Sequence, residues 1–84
     1  MKMHSHQKLS LDKMVTYQIK VPAHLDERWS DWIGDLLITS ESDEDGFPIT
    51  TMTGSFDQAS LHGLLRRLYT LGLPLISVQY IPCD

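Results

Sequence analysis

The sequence predicts an α+β sandwich, a four-stranded antiparallel sheet with two helices on one face, and three observations carry that prediction. The run VTYQIKV alternates apolar and polar residues with the period of a half-buried strand. Two later stretches repeat apolar residues at helical spacing. The acidic SDEDG separates two runs of strand-forming residues, as a hairpin turn does.

The elements follow in order. Val15, Tyr17, Ile19 and Val21 form the inward side of a first strand, Thr16, Gln18 and Lys20 its outward side, and Pro22 ends it. HLDERWSDWIG places Leu25, Trp29, Trp32 and Ile33 on one stripe of a first helix. Asp26 and Glu27 sit near its positive end and Gly34 suits its stop. DLLITSE and the threonine-rich FPITTMTGSF predict the two strands of a hairpin. Asp57 is an N-cap for a second helix whose stripe is Leu61, Leu64, Leu65 and Leu68; Gly72 closes it and Pro74 follows. Gly63 lies inside this helix, at a cost of roughly 1 kcal/mol against alanine, and so predicts close approach of the first helix through Trp29 or Trp32. LPLISVQYI is the last strand, with Ile76, Val78 and Tyr80 inward.

The order is βαββαβ, and right-handed crossovers on that order give the ferredoxin-like sandwich. It is expected as a single domain over 14–84, after a flexible polar tail over 1–13. The sheet face opposite the helices then carries Thr16, Gln18, Lys20, Thr51, Thr53, Leu75, Ser77 and Gln79, polar and nearly uncharged. Such a face suits a partner subunit or a ligand.

Composition bounds the function. A chain of 84 residues makes one domain and buries roughly 60–65% of its unfolded surface, so partner surfaces matter. With 42% hydrophobic and 21% charged residues it resembles an ordinary globular chain. The formal charge of −4 argues against nucleic acid and against anionic membranes, which require a basic patch. RNA-recognition modules share this topology but stack bases on aromatics of the open face; here Gln18 and Thr51 stand there, and Tyr17 points inward. The lone Cys83 permits no intrachain disulfide, and MKMHSHQKLSLDKM lacks the apolar stretch of an export signal, so a cytoplasmic setting is expected.

Few residues suggest chemistry. Glu41, Asp43 and Asp45 alternate before Gly46 like the start of a calcium loop, but Met52 stands where the closing glutamate belongs; a solvated turn accounts for them. His4 and His6 lack a third metal ligand, and His24 suits a solvent-facing or capping role. His62 lies beside the leucine stripe, where an imidazole can exchange protons, with Asp57 or Arg66 as the nearest companions for a small enzyme site. Arg66 and Arg67 are able to grip a carboxylate or phosphate. No motif places a nucleophile with them. The candidate ligand- or partner-binding residues are therefore Gln58, His62, Arg66 and Arg67 on the helix and Gln18, Thr51 and Thr53 on the sheet, with no catalytic residue, metal ligand or cofactor assigned.

The segment TGSFDQASLHGLLRRLYTLGLPLISV resembles the carboxy-terminal half of a family of small uncharacterised bacterial proteins. The likeness is carried by Thr53-Gly54, Asp57-Gln58-Ala59, Leu61-His62-Gly63-Leu64-Leu65, Leu71-Gly72-Leu73-Pro74-Leu75 and Ser77-Val78. The chain departs from it at Tyr69 and Thr70, where an arginine-aspartate pair is expected. A looser similarity is to ACT domains, βαββαβ regulatory modules that often dimerise and bind amino acids near a subunit interface. Their glycine between first strand and first helix is absent from VPAH. The expected function is a non-catalytic interaction module that forms a homodimer or holds a protein partner. The alternative is an ACT-like sensor of a small ligand.

Overall fold

Strand β1 (Val15–Val21) forms where the alternation is most regular, and its register with two neighbours makes it a central strand. The computed structural model describes residues 11–25 and 36–82. The first helix expected from Leu25 to Gly34, with Trp29 and Trp32, lies almost wholly outside the described residues, as do His4, His6 and Cys83.

β2 (Leu37–Ser42) and β3 (Pro48–Phe56) form the expected hairpin. Asp43 shapes its turn: the Asp45 and Phe47 N–H groups both donate to its Oδ1 at 2.9 Å, and Gly46 adopts φ 86°, a conformation glycine takes without a steric penalty. β4 (Ser77–Ile81) is shorter than LPLISVQYI suggests, so Leu75 lies before the strand instead of on its outward face. All pairings are antiparallel, in the order β2-β3-β1-β4. β1 and β2 therefore run in the same direction with β3 between them, and β3 and β4 do so with β1 between them.

Helix α1 (Gln58–Thr70), the second of the two expected, makes the connection from β3 to β4. The Asp57 side chain accepts the Ser60 N–H at 2.8 Å. At the other end Leu73 N–H reaches Leu68 O and Gly72 N–H reaches Tyr69 O, both at 2.9 Å, with Gly72 at φ 79°. These are the paired bonds of a Schellman stop, and they satisfy carbonyls the helix itself leaves open.

The core lies between α1 and one sheet face. Leu61, Leu64 and Leu68 meet Tyr17, Ile19, Val21, Leu36, Met52 and Phe56, and Val15, Leu25, Ile38, Leu65, Leu73 and Tyr80 pack around them. One expectation changes here. Val78 turns inward through the register Ile19↔Val78, yet is 40% exposed, because β4 is an edge strand with a neighbour on one side only among the described residues; Ile76, 49% exposed, lies before the strand with its N–H on the Lys20 carbonyl. Gly63 is exposed, and a Cβ added to it would meet no atom of the described residues within 4 Å; the approach expected from Trp29 or Trp32 lies outside those residues.

Thr50, fully buried at the end of the inward face, fixes the exit of β1. Its Oγ1 donates to Ala23 O at 2.6 Å and accepts Leu25 N–H at 3.1 Å. Backbone groups leaving a strand have lost their ladder partners, and this one hydroxyl serves two of them.

Candidate functional site

The seven candidate residues divide between two opposite sides of the sheet. On the outward face, Gln18 stands between Thr53 and Gln79, and Leu37 lies beyond Thr53; in the next row Lys20 stands between Thr51 and Ser77, with Thr39 beyond Thr51. Successive rows of polar side chains follow from the period-two pattern alone. Thr51 is only 6% exposed although it lies on the open face. Its hydroxyl donates to Glu41 Oε2 at 3.0 Å, and Lys20 Nζ approaches the same oxygen at 3.4 Å. One carboxylate on β2 thus ties together three strands and neutralises the lysine on β1. The face stays hydroxyl- and amide-rich with its charge locally balanced.

The other group starts in the core. Tyr17 is 7% exposed and packs against Phe56 and Tyr80 with ring centroids 6.5 and 6.0 Å away. Gln58, on the first turn of α1, donates from Nε2 to the Tyr17 phenol at 2.9 Å. Its Oε1 lies 3.3 Å from His62 Nε2, one helical turn on. Because the amide nitrogen is committed to the phenol, the amide oxygen is the acceptor and His62 Nε2–H the donor. A chain of polar contacts thus runs from a buried phenol to an exposed imidazole.

Arg66 and Arg67 are exposed on the next turn, and the Arg66 carbonyl accepts the Thr70 hydroxyl at 3.0 Å. The Asp57 carboxylate is engaged by Ser60. Its pKa lies below the ordinary 3.8, chiefly because the Ser60 backbone N–H donates to the charged form, with the Ser60 side chain adding to it. Among the described residues, no group of three or more His, Cys, Asp or Glu side chains is arranged to hold a metal ion. Nor is any helix among them long and apolar enough to cross a membrane.

Sequence reasoning missed Tyr17 and Glu41 as members of these groups. The signal for Tyr17 was available: a tyrosine on the inward side of a strand needs a partner for its hydroxyl, and Gln58 was the unexplained polar residue nearest the helix start. Glu41 ends the predicted strand DLLITSE, but no local pattern pairs its carboxylate with Thr51 and Lys20 on two other strands.

The class these features define is a small α+β domain with an open, polar sheet face. A family model described as "Domain of unknown function (DUF8691)" matches residues 16–79, most of the chain, and the protein belongs to that family. The match spans from β1 into β4, taking in both candidate groups except the residues beyond Gln79. No curated protein and no solved structure matches the chain.

Proposed function

We propose that the protein is a non-catalytic interaction module that self-associates through an exposed face or edge of its sheet, on a ferredoxin-like βαββαβ scaffold. The order β2-β3-β1-β4 supports the scaffold, since it is the one two interleaved strand–crossover–strand units produce, and the 15-residue connection from Val21 to Leu37 suffices for the other crossover. The observation that carries the function is the outward face: rows of threonine, serine and glutamine whose one lysine is neutralised by Glu41. A surface of that kind loses little charge solvation when covered.

The ACT-like reading, a small-ligand sensor with its site near the β1 exit, has weaker support, because the groups that leave β1 there are already occupied by Thr50. Sedimentation equilibrium from low to high micromolar concentration tests the module reading. It expects a dimer or higher assembly, and a monomer throughout that range defeats it. A thermal shift on adding amino acids, nucleotides or simple anions would instead favour the sensor.

A further inference from the structure

The two edges of the sheet differ in a way that bears on how copies meet. β2 carries Glu41 and runs straight into Asp43, Glu44 and Asp45, so two copies approaching through β2 bring acidic groups together on a chain of net charge −4. β4, SVQYI, carries no charge and no proline within it. Exposed apolar side chains precede it and lie within it: Leu75 and Ile76 before the strand and Val78 in it are each 40–49% exposed. Charge and proline on an edge strand block strand addition, and this edge has neither.

The backbone pattern of β4 is specific. Its last rung is Thr16↔Ile81, and the next residue, Pro82, has no N–H to give. That rung must therefore close through the N–H and C=O of Ile81 itself. By alternation Gln79 and Ser77 also turn their backbone groups to β1, and Val78 and Tyr80 turn theirs to the open side. We infer that a second copy of this chain adds antiparallel to β4 about a two-fold axis at Gln79, joining two four-stranded sheets into one of eight strands. In that register Val78 faces the partner's Tyr80 and both outward N–H groups and both outward C=O groups of each copy are paired. A register centred on Tyr80 would set Val78 opposite Pro82, which cannot donate. This rests on the self-association proposed above and places its seam at the β4 edge, leaving the outward face uncovered in the dimer.

The test compares wild type, Val78→Pro and Thr39→Arg by sedimentation equilibrium, with circular dichroism to confirm folding and hydrogen exchange read at the Val78 and Tyr80 amides. Val78 makes no ladder bond to β1 through its N–H, so proline is compatible with the isolated chain's edge while removing a donor from each copy. The expected result is a wild-type dimer that Val78→Pro weakens about tenfold or more and Thr39→Arg, on the outward face of β2 at the far side of the sheet, leaves intact, with both amides exchanging more slowly in the dimer than in the dilute monomer. If Val78→Pro does not fold, the amide exchange of the wild type decides alone. A dimer broken by Thr39→Arg, or one in which the two amides exchange at the monomer rate, overturns the edge and leaves association through the outward face. A wild type monomeric throughout overturns the edge and the module reading with it.

Discussion

Asp57 and Gly63 show how unequally single positions contribute to one helix. Asp57 accepts the Ser60 N–H, and replacing it with alanine removes the cap; a fall in Tm of roughly 4–8 °C is expected by thermal melting. Its pKa is depressed in the folded chain, so its contribution is present above the unfolded value of 3.8 and is lost as pH falls through the lower folded value. Asp57→Asn keeps a capping oxygen but cannot titrate, and its melts should depend less on pH in that acidic window than those of wild type. Gly63 has open space around it among the described residues, and Gly63→Ala should stabilise the chain by about 1 kcal/mol in urea titrations, through helix propensity and a less flexible unfolded chain. A loss of stability there would mean that the position serves something beyond the described residues. The sequence shows that Gly63 is unusual for a helix but cannot show what stands above it, because that depends on packing across the sheet.

At the scale of elements, what was legible depended on whether local pattern or tertiary cover decides the outcome. β1 and α1 were read with their bounds almost intact, since seven alternating residues and a capped leucine stripe each state their own geometry. β4 was harder. Its alternation tells which side chains turn inward, and Val78 does so, but whether an inward side chain is covered depends on how far α1 reaches over the edge. Of the candidate site, the Gln18, Thr51 and Thr53 face was foreseen from parity, whereas the bond from Gln58 to Tyr17 joins residues 41 positions apart and no local rule reports it. The β1 exit makes a sharper prediction. Thr50→Val keeps the shape of the side chain but strands the Ala23 carbonyl and the Leu25 N–H, and denaturant unfolding should show a loss of roughly 1–3 kcal/mol.

For the whole molecule, one core cluster joins α1 to β1 and β3, with Ile38 of β2 and Tyr80 of β4 packed against it, so a single cooperative transition is expected. If copies associate as proposed, that transition also reflects mass action: Tm should rise with protein concentration for wild type and stay flat for Val78→Pro. Differential scanning calorimetry at two concentrations an order of magnitude apart checks this, and equal midpoints for wild type would oppose self-association.

The central place of β1 carries a cost during synthesis. Its partners β3 and β4 are encoded far downstream, with Ile81 about 60 residues after Val21, so a ribosome adding about 5–20 residues per second leaves β1 waiting some 3–12 s for its complete ladder. Through that interval Val15, Tyr17, Ile19 and Val21 have no sheet to enter, and a nascent chain paused before Pro48 offers them to whatever holdase stands at the tunnel exit.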